Sequence, residues 1–172
     1  MTRCYARGRD MEPPEKRKVM NALSQLLSEL AVQATNAANA TREGATHPEA
    51  KPENDKDTRA LEQSYLARGQ ALRVAELNEQ IQLLRVMPLR SFGPDDPVAI
   101  GALVTLEAEK DVRCLFLVPH GGGNELSIDG ARVFVVTPQS RLGAAVLGRG
   151  VGDDVELVVR GVKREYVIAA VS

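Results

Sequence analysis

Four carboxylates lie close together in a polar stretch of this 172-residue sequence, residues 44–57. They are Glu49, Glu53, Asp55 and Asp57. Carboxylate oxygens are the ligands that a hard cation such as Mg²⁺ prefers, so this cluster could steady a metal ion and an attacking water. Basic residues stand beside them, namely Arg42, Lys51, Lys56 and Arg59. A mixed-charge turn that is merely solvated is therefore the competing interpretation, and the residues alone leave both open.

Two long helices are predicted on either side of this segment. On the first, apolar residues recur at steps of three and four, at Val19, Leu23, Leu26, Leu30, Ala34 and Ala37. On the second, the apolar positions are Leu61, Tyr65, Leu72, Leu77, Ile81 and Leu84. Pro48 and Pro52 interrupt the helical pattern between them, and Pro88 ends it. Two such stripes joined by a short link predict an antiparallel helical hairpin with the carboxylates at its tip; the alternative is a bundle packed on the following domain.

The pattern changes after residues 89–97, which hold a glycine and two prolines. Apolar runs typical of strands follow at 98–107, 112–118, 126–128, 133–136, 154–160 and 164–171. Asp129-Gly130 predicts a hairpin turn. A short helix fits residues 140–147, with Ser140 as its N-cap and Gly148 just beyond it.

We therefore expect an α+β protein, in which an antiparallel helical hairpin precedes an antiparallel β-sheet domain with one short helix. The predicted domains are a disordered basic leader over 1–14, the hairpin over 15–88 with its tip at 44–57, a linker over 89–97 and the β domain over 98–172.

The composition excludes several classes of protein. Twenty-two Lys and Arg against 23 Asp and Glu leave a net charge of −1, which argues against wrapping nucleic acid directly. Aromatic residues make up 3% of the chain, too few for base-stacking platforms or a ring-walled substrate pocket. No run is long enough to span a membrane, and Cys4 and Cys114 have no metal-site spacing. We expect a cytoplasmic interaction protein with two free thiols.

One long motif resembles a known family. Residues 137–155 and 163–168 resemble the C-terminal domain of the GreA/GreB family of transcription elongation (transcript cleavage) factors. The matching residues are Ser140, Leu142, Gly143, Ala145, Leu147, Gly148, Val151, Gly152, Asp153, Val155, Glu165, Tyr166 and Ile168. Residues 73–77 are similar, more weakly, to the end of the family's second hairpin helix.

This resemblance implies an FKBP-like fold for the β domain and a hairpin that enters the secondary channel of a bacterial RNA polymerase. It implies that tip carboxylates assist the polymerase's Mg-dependent cleavage of backtracked RNA, so that the chain is not itself an enzyme and has no cofactor of its own. Glu53 and Asp55 would contact the shared Mg²⁺, with Asp57 and Glu49 as further candidates. Lys56 falls where the family has its second acid, so a noncatalytic channel regulator is the alternative.

The resemblance also indicates a partner-binding loop. Gln139, Ser140, Arg141 and Leu142 occupy the place that docks on the rim of the polymerase channel, although Arg141 replaces the usual proline. The competing interpretation is an ordinary helix cap at Ser140. We expect a monomer that contacts nucleic acid only through the polymerase, near the RNA 3′ end. A prolyl isomerase or chaperone built on the β domain is a third hypothesis, from another class of protein.

Overall fold

The computed structural model describes residues 14–46, 58–109, 111–159 and 161–172. Two long helices come first, α1 at Lys16–Thr46 and α2 at Thr58–Val86. Helix α1 runs through Gly44, at which the sequence predicted the turn to begin. The predicted leader, and the tip from residue 47 to residue 57, lie outside the described residues.

The part of the chain from Ser24 to Gln82, which includes most of both helices, forms a compact unit of its own. Its buried apolar residues lie on both helices, Leu27 and Ala31 on α1 and Leu77 and Ile81 on α2. The remaining predicted positions of this part of α1 are less buried. Leu26, Leu30 and Ala34 are half-buried and Ala37 is exposed, because the stripe shifts by one residue to include Leu27.

The first half of the predicted α2 stripe is wrong. Leu61, Tyr65 and Leu72 are exposed, at 57%, 64% and 56%. Leu77 follows Leu72 by five residues. At 3.6 residues per turn, Leu77 therefore lies about 140° around the helix from Leu72. The six apolar positions therefore belong to two different faces, and only the later three, Leu77, Ile81 and Leu84, are buried.

The second unit contains Leu83–Ser172 and the turns of α1 up to Leu23. Its strands are β1 at Leu103–Ala108, β2 at Asp111–Leu117, β3 at Glu125–Ile128, β4 at Ala131–Val136, β5 at Asp154–Val159 and β6 at Val162–Val171. A short helix, α3 at Arg141–Val146, precedes β5. The predicted architecture, a helical hairpin followed by a sheet domain with one short helix, is confirmed.

The six strands form one sheet in the order β3-β4-β2-β1-β6-β5. The expectation of an antiparallel sheet was wrong at one place, since β2 and β4 pair in parallel with Cys114 opposite Val133. The reason is the connection after β2, which skips a strand position and leads into the edge strand β3. The β3–β4 hairpin then returns its second strand alongside β2 in the same direction. Asp129 and Gly130 form its tight turn with positive φ angles of 51° and 83°, as the sequence predicted.

The sheet is buried on both faces at its centre. One face contributes to the main hydrophobic core, in which α3 supplies Val146 and the strands supply Val104, Leu106, Leu115, Leu117, Val136, Val155, Leu157, Tyr166 and Ile168. The other face carries the buried side chains of Leu103, Cys114, Phe116, Val133 and Val135. Burial of both faces explains why residues 114–118, at the end of β2, are all apolar.

The first turns of α1 belong to this sheet unit. Val19 and Leu23 are fully buried, and Lys18 Nζ lies 2.8 Å from Asp129 Oδ2 in the turn between β3 and β4. Lys16 Nζ donates to the carbonyl of Arg90 at 2.6 Å and lies 4.7 Å from the centre of the Phe92 ring. Polar contacts at two places thus link the first turns of α1 to the rest of this unit.

Candidate functional site

The turn that precedes α3, residues 137–142, is held by the side chain of Ser140. This residue has extended backbone angles, and its Oγ accepts a hydrogen bond from the backbone N–H of Gly143 at 3.1 Å. The same hydroxyl donates to the carbonyl of Thr137 at 2.7 Å, and the Ser140 N–H donates to that carbonyl at 2.9 Å. Ser140 is therefore the N-cap that the sequence predicted, and we call residues 137–142 the capped turn.

Two glycines let other backbone segments approach Thr137. A Cβ atom at Gly143 would collide with the carbonyl of Thr137, and one at Gly122 would lie 2.8 Å from Thr137 Cγ2. Gly122 belongs to the glycine-rich connection after β2, so this connection packs against the start of the capped turn. Gly122 thus makes room for the side chain of Thr137.

The motif residues that follow α3 shape a second turn, which leads into β5. Gly148 and Gly152 have positive φ angles of 76° and 90°, which side chains rarely adopt. Asp153 accepts a hydrogen bond from the Gly150 N–H at 2.8 Å. Its own backbone carbonyl accepts from the Ile168 N–H at 3.0 Å. Much of the motif is therefore explained by the backbone path.

The four predicted partner-binding residues divide into two pairs. Gln139 and Arg141 are exposed, on either side of the cap. Ser140 is engaged in the cap, and Leu142 is half-buried against the main core. Leu147 and Val151, further motif residues, are 44% and 45% exposed. Of these six motif residues, Gln139, Arg141, Leu147 and Val151 are exposed to a partner, while Ser140 and Leu142 are engaged in the fold.

A polar network lies at the edge of the main core, at the start of β2. The hydroxyl of Tyr166, which shares the core cluster with Val146, donates to Asp111 Oδ2 at 2.6 Å and accepts from Arg113 Nε at 3.0 Å. Arg113 Nε also lies 3.0 Å from Asp111 Oδ2. Burial alone would raise the pKa of Asp111, but the hydrogen bonds from Tyr166 and Arg113 outweigh it and hold this pKa below its usual value.

The same network acts in the opposite direction on the tyrosine. Burial and the hydrogen bond to the Asp111 carboxylate raise the pKa of Tyr166 above its ordinary value. The phenol therefore stays protonated and donating over the physiological range. Sequence analysis matched Tyr166 to the motif but missed its partners Asp111 and Arg113. The available signal was an acid and a base two residues apart on one strand, which places both on the same face.

The four predicted tip carboxylates, Glu49, Glu53, Asp55 and Asp57, lie outside the described residues, as does Lys56. Among the residues that are described, no group of three or more His, Cys, Asp or Glu is placed to hold a metal ion. Cys114 is a free, buried thiol whose pKa is raised by burial; Cys4 falls in the part not described. None of the described helices is long and apolar enough to cross a membrane.

The chain is similar to several solved structures. No family model matches this sequence, and curated proteins give no significant match. The chain is similar to GreA factor homolog 1 of Thermus thermophilus, with 20% identity, coverage of 88% of this chain and 95% of that one, and a TM-score of 0.38. The chain is also similar to Gfh1 of Thermus aquaticus, with 16% identity, coverage of 88% of this chain and 94% of that one, and a TM-score of 0.38.

A third similar structure is the prokaryotic transcription elongation factor GreA/GreB from Nitrosomonas europaea. It is 20% identical, with coverage of 56% of this chain and 78% of that one and a TM-score of 0.36. TM-scores below 0.5 carry no argument about function.

Proposed function

We propose that this chain is a divergent member of the GreA/GreB family that binds RNA polymerase. It docks through the exposed side chains around the capped turn and inserts its helical hairpin into the secondary channel. The tip carboxylates then assist the polymerase's own Mg-dependent cleavage of backtracked RNA. The chain is not an enzyme by itself and contacts nucleic acid only inside the polymerase.

The capped turn is the observation that carries the proposal. The family motif over residues 137–155 folds as one continuous feature, in which Ser140, Gly143 and Gly152 set the backbone path. Gln139 and Arg141 stay exposed on this rigid support. Arginine presented on a rigid turn is a frequent anchor of protein interfaces, because its fork of donors loses little freedom on binding.

The two helices supply the second support. They have 31 and 29 residues, which corresponds to about 45 Å at roughly 1.5 Å per residue. Among the described residues of Ser24–Gln82, the buried apolar side chains form a narrow stripe. A long, thin pair of helices is suited to entering a channel, which a rounded bundle would not fit.

The tip supplies the chemistry in this proposal. The polymerase's Mg²⁺ would find hard oxygen ligands in Glu53 and Asp55, and carboxylates are the side chains suited to that ion. The metal belongs to the polymerase, and the chain contributes only the acid side chains. Asp57 and Glu49 are the next candidates along the tip.

Capture of purified core polymerase on the immobilised full-length protein tests the docking step. We expect binding by the native chain and a loss of about tenfold or more with Arg141→Glu, because an interface arginine is replaced by the opposite charge. Arg132→Glu, at an exposed arginine of β4, is the matched control and should bind normally. Equal binding by all three proteins would contradict docking through the capped turn.

Stalled, backtracked polymerase tests the cleavage step. The native protein should shorten the RNA from its 3′ end, and the double variant Glu53→Ala with Asp55→Ala should bind equally but leave the RNA intact. If the native protein binds the polymerase and the RNA keeps its length, the cleavage role is wrong and the docking role survives.

Lys56 favours a second candidate function, a noncatalytic secondary-channel regulator that competes with cleavage factors or modulates initiation. A lysine repels Mg²⁺ where a carboxylate would bind it. In that case the chain should inhibit multi-round transcription, and alanine at Glu53 and Asp55 should leave the inhibition unchanged.

A further inference from the structure

The outward face of α2 carries a regular seam of exposed side chains. Leu61, Tyr65, Arg68 and Leu72 follow one another at steps of four, three and four residues, and all four are exposed. We call these four residues the outer seam. Their spacing is the heptad spacing with which one helix packs against another. They lie on the side of α2 opposite the buried Leu77 and Ile81.

A glycine beside the outer seam has no steric explanation among the residues that the structure describes. A Cβ atom at Gly69 would meet nothing within 4 Å, so no neighbour requires its small size. Glycine in the middle of a long helix destabilises that helix. An exposed glycine beside exposed Leu61, Tyr65 and Leu72 is useful where a second helix approaches closely.

The outer seam is also symmetric about its own centre. When two identical helices cross antiparallel between residues 66 and 67, Leu61 meets Leu72 of the second copy. Tyr65 meets Arg68 of the second copy, a pairing of a ring face with a guanidinium. Such an arrangement is isologous, because each contact occurs twice.

The charges beside the outer seam match this arrangement. Glu62 and Arg73 lie on one side of the seam, together with Gly69, and both are exposed. Antiparallel packing brings Glu62 towards Arg73 of the second copy. Among the described side chains of its own helix, Arg73 pairs with Glu76, at 3.4 Å, with both side chains more than half exposed. Such a pair contributes little and leaves the guanidinium free to turn towards the other chain.

We propose that the outer seam is a self-association surface, on which a second copy of this chain packs its own α2 in antiparallel orientation. A second copy is favoured over an unrelated partner because both the apolar contacts and the Glu62–Arg73 charges are complementary to themselves. The inference does not rest on the proposed function.

The association is weak. A handful of side chains from each copy is far fewer than the roughly 20 to 30 residues a side of a stable interface. We expect a dissociation constant on the order of 0.1 mM, so the chain is monomeric when dilute and pairs at high concentration. Local concentration, as at a crowded or tethered site, then decides whether this face of the hairpin is covered.

Sedimentation equilibrium of the full-length protein between about 10 µM and 1 mM at low salt tests the proposal. The average mass should rise with concentration towards that of a dimer. Leu72→Ser should remove this rise, whereas Leu66→Ser should keep it. Leu66 is the matched control, since it is 55% exposed but lies about 100° around the helix from Tyr65. Circular dichroism checks that both variants keep their helices.

A charge swap provides the sharper test. Glu62→Arg and Arg73→Glu should each weaken self-association by about tenfold, since each replaces two attractive pairs with two repulsive ones. An equimolar mixture of these two variants should associate at least as well as the native chain, because every pair across the mixed dimer is again opposite in charge. This rescue cannot arise from a general loss of stability.

Three results would overturn the proposal. The first is a monomeric mass up to 1 mM. The second is equal loss of association in Leu66→Ser and Leu72→Ser. The third is failure of the mixed charge variants to associate. A protein that stays monomeric while Leu72→Ser loses polymerase capture would assign the outer seam to the polymerase instead.

Discussion

Gly143 lies directly against the backbone carbonyl of Thr137, so closely that a Cβ atom on Gly143 would overlap the oxygen. The same carbonyl accepts hydrogen bonds from the backbone N–H and the hydroxyl of Ser140. The start of α3 is thus assembled around one oxygen atom, and Gln139 and Arg141 are presented on either side of the cap.

Gly143→Ala should therefore destabilise the sheet unit. The added methyl group must push Thr137 away, and an overpacked site of this kind costs about 1 to 3 kcal/mol. Urea unfolding followed by circular dichroism measures the loss. A variant as stable as the native protein would show that the capped turn relaxes freely.

Gly69→Ala should have the opposite effect. Its Cβ atom meets no neighbour, and alanine in a helix interior is more stable than glycine by about 0.5 to 1 kcal/mol. Thermal unfolding should show a higher midpoint for this variant. Because both glycines lie in helices, the pair of substitutions separates steric constraint from helix propensity.

Ser140→Ala should remove the N-cap of α3. The Gly143 N–H would lose its acceptor, and the expected loss is about 1 kcal/mol of unfolding free energy. Ser127→Ala, at an exposed serine of β3, is the control and should change stability little. If Ser140→Thr restores the lost stability and Ser140→Val does not, the hydroxyl is the group responsible.

Tyr166→Phe should test the network of Asp111, Arg113 and Tyr166 without changing the packing of the core. The phenyl ring still fills the core, but Asp111 loses a donor at 2.6 Å, so the variant should be less stable by about 1 to 2 kcal/mol. Tyr65→Phe is the matched control, since Tyr65 is 64% exposed and should be nearly neutral. Similar losses in the two variants would argue against a role for the hydrogen bond.

Asp111→Asn should flatten the acid end of the stability profile. The pKa of Asp111 is lower in the folded chain than in the unfolded one, so its contribution is fully present above the unfolded value near 4. That contribution disappears as the pH falls through the folded value. Urea unfolding between about pH 5 and pH 2 should show a shallower slope in the variant. An unchanged slope would mean that Asp111 gains no stabilisation on folding.

The β domain was largely predictable from residue patterns, because each of its elements has a local chemical cause. Asp129-Gly130 can adopt the positive φ angles of a tight turn, and Ser140 with Gly148 predicts the start and the end of a short helix. The parallel pairing of β2 with β4 was not predictable in this way. The direction of β4 relative to β2 depends on the position at which the chain re-enters the sheet, and no local sequence pattern predicts this position.

The hairpin shows the same division at longer range. Its two helices follow from the spacing of leucines and alanines, but the buried face of α2 did not follow from its apolar residues. Leu61, Tyr65 and Leu72 repeat as regularly as Leu77, Ile81 and Leu84 and yet are exposed. The candidate site divides likewise, since the sequence located residues 139–142 and the cap at Ser140. It could not show that Leu142 is half-buried while Gln139 and Arg141 are exposed.

The sequence by itself determined the order and type of the elements, the turn glycines and the capped start of α3, because these depend on backbone angles and on hydrogen bonds within a few residues. Only the tertiary structure decided strand direction, which apolar stripe is buried, and the meeting of Asp111, Arg113 and Tyr166 across 55 positions of sequence. These features depend on packing between distant segments. The hydrophobic effect is non-directional. An apolar residue in the sequence therefore indicates that its side chain can be buried, but not against which surface.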